Sequence, residues 1–123
     1  MLLDQAFDAG TPIYTQIMDR IRLRVLTGQW QPGERIPGVR ELAVEFGVNP
    51  NTMQRSLAEL ERDGLLHSER TAGRFITRDA ERIEQMRRQV ARDQMTDFVT
   101  HMRQMGYDPP AILEALRQFL EQE

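Results

Sequence analysis

The sequence predicts a mainly α fold with a small β-hairpin, arranged as a winged helix-turn-helix followed by two C-terminal helices. Three observations carry that expectation. Apolar residues recur at three- and four-residue steps in five separate stretches. A glycine, Gly47, and an Asn49-Pro50 pair turn the chain sharply between two of those stretches, and the segment "LLHSERTAGRFIT", residues 65–77, has strand chemistry on either side of a small polar tip.

Thr11-Pro12 reads as the start of a first helix, with the hydroxyl as cap and proline at the first helical position, where its missing N–H costs nothing. Tyr14, Ile17, Met18, Ile21 and Val25 give this helix its apolar stripe over about four turns, and Gly28 stops it. Pro32-Gly33 then fits a tight turn, with Trp30 and Ile36 as core plugs and Ile36 in a very short strand. Val39, Leu42, Ala43 and Phe46 mark a short second helix closed by Gly47, with Val48 as a further plug. Asn49 caps and Pro50 begins a third helix, whose stripe is Met53, Leu57 and Leu60 and whose end is Gly64. Phe75, Ile76 and Thr77 supply the second strand of the hairpin.

Beyond the hairpin, Asp79 caps a fourth helix with the stripe Ile83, Met86, Val90, Met95, Phe98, Met102 and Met105, ended by Gly106. Asp108-Pro109 starts a fifth, with the face Ile112, Leu113, Leu116, Phe119 and Leu120. Two amphipathic helices cannot bury both stripes alone, so a partner surface is expected. The division is thus residues 10–78 as one domain and 79–123 as a two-helix appendage, in which Val90, Met95, Phe98, Met102, Leu113, Leu116, Phe119 and Leu120 are the candidate dimerisation residues.

Composition narrows the function. The 123 residues include no cysteine and two distant histidines, His67 and His101, so thiolate zinc, disulfides and a clustered catalytic or metal site are not expected, and no cofactor or enzyme activity is either. No apolar run approaches the roughly 18–20 residues that span a bilayer, and the opening residues lack the basic start of a signal peptide; a cytoplasmic protein without a membrane partner is expected. The net charge is −3, which by itself argues mildly against nucleic acid. Its distribution matters more. Residues 1–78 carry ten Arg and ten acids, whereas residues 79–123 carry six Arg and nine acids, and there is no lysine anywhere. Arginine makes forked contacts to phosphate and to guanine.

On a wheel of 100° per residue the third helix sets Met53, Leu57 and Leu60 within about 60° of one another, opposite Asn51, Arg55, Ala58 and Arg62, with Thr52 and Gln54 on the flanks. Amide, guanidinium and hydroxyl groups near a helix N-terminus suit base edges and phosphate. A solvated helix face would also look like this, so two neighbours weigh in the balance. Arg40 points away from the apolar stripe of the second helix, and Arg70, Thr71, Ala72, Gly73 and Arg74 place two guanidiniums around the hairpin bend, as a minor-groove or phosphate contact requires.

These residues resemble the GntR family of bacterial transcription regulators. The likeness lies in "PIYTQI" at 12–17, "GQWQPGERIPGVRELA" at 28–43, "VNPNTMQRSLAELERDGLL" at 48–66 and "GRFIT" at 73–77. The two-helix remainder looks like the YtrA-type branch, whose short C-terminal part serves mainly for dimerisation. The resemblance implies DNA contacts from Arg40, Asn49, Asn51 and Thr52, from Gln54 or Arg55 beyond them, and from Gly73 at the wing. Departures from the family pattern are Gly38 for a usual capping serine, Pro50 for an arginine common in other branches, Thr71 for a wing glycine and Arg74 for a threonine. The expected function is that of a homodimeric regulator, a repressor, on a roughly palindromic double-stranded DNA operator; an unknown small-molecule effector is allowed for, although a two-helix tail leaves little room for an enclosed pocket. The alternative is a winged-helix adaptor for protein contacts without DNA binding, which the net acidity favours.

Overall fold

The computed structural model describes Phe7 and residues 9–123; the opening residues inspected for a signal sequence otherwise lie outside the described ones. The elements are α1 (Ile13–Leu26), α2 (Val39–Phe46), α3 (Pro50–Arg62), β1 (Leu66–Glu69), β2 (Gly73–Ile76), α4 (Ala80–Gln104) and α5 (Pro109–Gln122). The five helices and the hairpin appear in the expected order. The chain divides into two compact units, Met1–Gln85 and Met86–Glu123.

In the first unit, α1 begins one residue later than the sequence predicts. Pro12 is its N-cap, in an extended conformation (φ −54°, ψ 137°), and no side chain caps it. Proline's fixed φ suits either position, but here its carbonyl takes the first helical amides, from Thr15 and Gln16 at 3.2 and 3.4 Å. The Gln16 side chain reaches back to the Thr11 carbonyl at 2.8 Å.

Ile17, Ile21, Leu42, Met53, Leu57, Leu60, Leu65 and Ile76 are fully enclosed, so α1, α2, α3 and the hairpin close around one core. Trp30 and Ile36 are buried as expected, while Val48 is half-buried at the corner. One core residue has a polar side chain that the apolar pattern does not reveal. Ser56, fully buried on α3, donates its hydroxyl between the carbonyls of Thr52 at 2.9 Å and Tyr14 at 3.1 Å, tying α3 to α1 without leaving a buried polar atom unpaired.

β1 and β2 pair antiparallel in the register Leu66 with Ile76 and Glu69 with Gly73. The short strand expected at Ile36 is a single bridge one residue earlier, between Arg35 and Phe75. Three backbone bonds hold that segment to β2: Gly33 N to Ile76 O, Ile76 N to Glu34 O and Ile36 N to Arg74 O, all 2.9–3.0 Å.

α4 starts on this unit. Asp79 accepts the amides of Glu81 and Arg82 at 3.1 and 3.2 Å, Ile83 is buried, and Arg82 Nη1 donates to the Asp63 carbonyl at 3.0 Å. In the second unit, α4 ends at Gly106 with φ +92°, where a left-handed residue closes the helix. Asp108 caps α5 by accepting the Ala111 amide at 2.9 Å. Arg117 bridges Glu114 and Glu121 along α5 at 2.5 Å each. Among the described residues no helix is long and apolar enough to cross a membrane.

Candidate nucleic-acid interface

Gly47, in the left-handed region at φ +68°, ends α2 and lets the chain double back through Val48, whose amide reaches the Ala43 carbonyl at 2.9 Å. Asn49 follows in extended geometry. Its side-chain oxygen accepts the Asn51 amide at 2.7 Å and its carbonyl accepts the Met53 amide at 3.0 Å. Pro50 has no N–H to offer. Of the backbone amides at the start of α3, that of Thr52 is therefore the one left without a partner among the described residues. The expected anion site at this helix start thus narrows to one N–H plus the Asn49 and Asn51 amide groups.

Side chains of α3 divide as the wheel predicts, with refinements. Asn51, Gln54 and Arg55 are exposed and Thr52 is half-buried. The Arg55 guanidinium, expected to stand outward, lies over the Tyr14 ring of α1 with its carbon 3.7 Å from the centroid, a cation–π contact made while the residue stays exposed. Arg62, at the far end of the same face, pairs with Glu59 at 2.7 Å.

The hairpin departs further from expectation. Arg70 is exposed at the tip, and Thr71 beside it has φ +72°, the one non-glycine in the left-handed region among the described residues. Arg74 is not at the tip. It sits in β2 with its side chain 18% exposed, and its Nε donates to Glu61 of α3 at 2.5 Å; Nη1 makes a longer contact, 3.5 Å, with the Gln54 side-chain oxygen. Glu61 also accepts from the Ser68 hydroxyl. Partial burial acts to raise the Glu61 pKa, but the bonds from Ser68 and Arg74 and the nearby charges of Arg74 and His67 outweigh it and hold the carboxyl below its ordinary value. The sequence could not anticipate this pairing, because 13 residues and a strand reversal separate the partners.

Two arginines that sequence reasoning passed over complete the surface. Arg35 lies over Gly73, with Nε 2.8 Å from where a Cβ on that glycine would stand, and Arg78 covers Gly33 in the same manner at 2.9 Å. Nothing in a linear reading links residue 35 to the wing; the bridge to Phe75 does.

An arginine inventory divides the cations of the first unit by their partners. Arg22 is bonded to Asp19 and Asp63 at 2.9 Å, Arg24 to Glu45, Arg62 to Glu59 and Arg74 to Glu61. Arg24 is also enclosed between the rings of Trp30 and Phe46 at 5.0 and 4.6 Å. By contrast Arg35, Arg40, Arg55, Arg70 and Arg78 have no acidic partner among the described residues. These cations lie at the start of α2, on α3 and about the hairpin, and Arg82 at the start of α4 meets the Asp63 carbonyl rather than an acid. The site therefore offers amides, a hydroxyl and unpaired guanidiniums, and no group of three or more potential metal ligands occurs among the described residues.

A model of the family described as "Bacterial regulatory proteins, gntR family" matches residues 13–76, which takes in α1 through β2. The chain belongs to this GntR family. It is similar along nearly its whole length to the HTH-type transcriptional regulator YhcF of Bacillus subtilis (strain 168), at 36% identity over 119 residues, 97% of this chain and 98% of that protein. A solved GntR family transcriptional regulator from Listeria monocytogenes superposes with a TM-score of 0.84 at 35% identity, covering 91% of this chain and 98% of the other. The winged unit alone resembles AraR(DBD) in its crystal structure with operator ORR3, with a TM-score of 0.53 and 29% identity over 59% of this chain and 88% of that one. The GntR chain described here is thus a transcriptional regulator with a winged helix-turn-helix.

Proposed function

We propose that this GntR chain binds an operator in double-stranded DNA as a homodimer and lowers transcription by occupying it. The observation that carries the reading is the arginine inventory: Arg35, Arg40, Arg55, Arg70 and Arg78, without an acidic partner among the described residues, gather at the start of α2, on α3 and about the hairpin, while Arg22, Arg24, Arg62 and Arg74 are neutralised. In a protein of net charge −3, such a concentration is the electrostatic footprint of a phosphate surface. The similar AraR(DBD) is solved in complex with an operator, which supports DNA as the partner.

In this reading the winged domain, residues 10–78, reads the operator. α3 enters the major groove with Asn51, Gln54 and Arg55 toward base edges, while Thr52, Asn49 and Arg40 fix the backbone and Gly73 and Arg70 approach it at the wing. Residues 79–123 hold the second copy. Met95, Phe98, Leu113, Phe119 and Leu120 are exposed by 58, 38, 70, 58 and 61%, and Val90, Met102 and Leu116 are half-buried beside them. A unit of 38 residues is too small to close a core. An identical apolar face is the self-complementary partner that two-fold symmetry supplies, and it matches a two-fold operator. The charged residues of α5 are already paired with one another, so an apolar copy rather than a charged ligand suits this face. A 40% identity over 72 residues to the HTH-type transcriptional repressor YtrA of Bacillus subtilis (strain 168), 58% of this chain and 55% of that protein, supports the YtrA-type branch.

The test is DNA selected from a random pool, then bound across a salt series. The expected result is a selected sequence with two-fold symmetry and an affinity that falls steeply as salt rises. Binding that is absent, or indifferent to salt, would transfer the winged unit to the protein-adaptor class.

A further inference from the structure

We propose that Arg35 is the phosphate-binding cation at the base of the wing, the place that Arg74 holds in the sequence pattern. The inference rests on the DNA reading above and concerns which side chain of the wing carries charge to the backbone.

Three observations assign the role. Arg74 is already neutralised, since Glu61 takes its Nε and the pair is largely enclosed. Arg35 is exposed, and neither an acid nor any other bonding partner meets its guanidinium among the described residues. Its backbone is nevertheless fixed to the wing, because the Arg35–Phe75 bridge and the flanking bonds from Ile36 to Arg74 and from Ile76 to Glu34 make residues 34–36 a rail along β2.

Strand alternation sets the direction. Arg74 and Ile76 face inward, one to Glu61 and one to the core, so Gly73 and Phe75 face the other way, and Arg35, paired with Phe75, shares their side. Gly73 has no side chain to obstruct it, and the guanidinium lies across it with Nε 2.8 Å from the missing Cβ. An anchored, unpaired fork on the outer face of a wing is suited to one phosphate oxygen pair and, lacking any neighbour at base depth, not to a base edge.

The experiment compares Arg35→Ala, Arg35→Lys and Arg74→Ala on the selected operator and on an unrelated duplex of equal length. Arg35→Ala should weaken both by the same factor and flatten the salt slope by about 0.9 per bound copy. Its gap from wild type should then shrink about 3.5-fold per copy as salt rises from about 50 to about 200 mM. Arg35→Lys should restore the slope, and Arg74→Ala should leave the slope intact while lowering the melting temperature. An unchanged slope in Arg35→Ala, a loss confined to the operator, or a flattened slope in a folded Arg74→Ala would each overturn the assignment. A wild-type protein without salt-dependent DNA affinity would instead overturn the functional reading itself.

Discussion

Leu57 on α3 and Leu113 on α5 occupy the same kind of position, an apolar residue on the stripe of an amphipathic helix, and meet opposite fates. Leu57 is fully enclosed, whereas Leu113 leaves 70% of its surface open. The difference extends to the units around them. The winged unit closes a core from three helices and a hairpin and ties its polar Ser56 into it, while the tail unit buries Ile112 and leaves Met95, Met105, Phe119 and Leu120 more than half exposed. The same periodicity thus yields a finished core where enough elements converge and an unfinished face where two helices stand alone. The first arrangement fixes its side chains in place; the second leaves apolar surface that the proposed second copy would cover.

The comparison breaks most directly at the unfinished face. Leu113→Glu combined with Phe119→Glu places charge on the apolar face proposed to pair two copies. Each lost side chain forgoes about 1.5–3 kcal/mol of burial, so the dimer should loosen by a hundredfold or more. Sedimentation should show a monomer, operator affinity should fall with it, and the melting transition of the winged unit should persist. A double variant that still sediments as a dimer would place the interface elsewhere.

How far the sequence foretold these two regions follows from the range of the interactions involved. The five helices, the Asn49 cap, the Gly47 corner and the Asp79 and Asp108 caps were legible because each depends on residues within four positions of one another. The start of α1 was misplaced by one residue because proline satisfies both the N-cap and the first helical position. Adjacency in sequence places Arg74 at the hairpin bend, yet its fate is decided by Glu61 across the hairpin, and Arg35, distant in sequence, reaches the wing through its bridge to Phe75. Periodicity identifies a helix face; which cations on that face remain unpaired is a tertiary property.

A smaller effect sharpens the contrast within the winged unit by testing whether its neutralised cations are structural. Glu61 is held below its ordinary pKa, so its contribution is fully present above the unfolded value of 4.5 and is lost as pH falls through the lower folded value. Glu61→Gln should cost about 1.5 kcal/mol near neutrality, the low end for charge-assisted hydrogen bonds because the site is partly solvated. The gap from wild type should close progressively below about pH 4.5, as the wild-type carboxyl also loses its charge. Thermal melts at pH 7 and pH 3.5 read both arms, and a gap of equal size at the two pH values would deny the Glu61–Arg74 bond its stabilising role.

The smallest effect concerns the one non-glycine residue with positive φ among the described residues. Thr71 adopts φ +72°, a region that every other described residue in it fills with glycine, and its branched Cβ makes that conformation costly. Thr71→Gly removes the steric cost but adds conformational freedom to the unfolded chain, so the two terms oppose and the net gain should be about 1 kcal/mol or less. The tip is exposed and no side-chain bond is made by Thr71 among the described residues, so nothing else is lost in the folded state. Melting temperature should therefore rise slightly, and operator affinity should fall slightly, because a freer tip holds Arg70 less firmly for the backbone. If stability rises and affinity does not change, the strained tip is tolerated rather than used, and the wing's grip on DNA lies at its base, on the rail that carries Arg35.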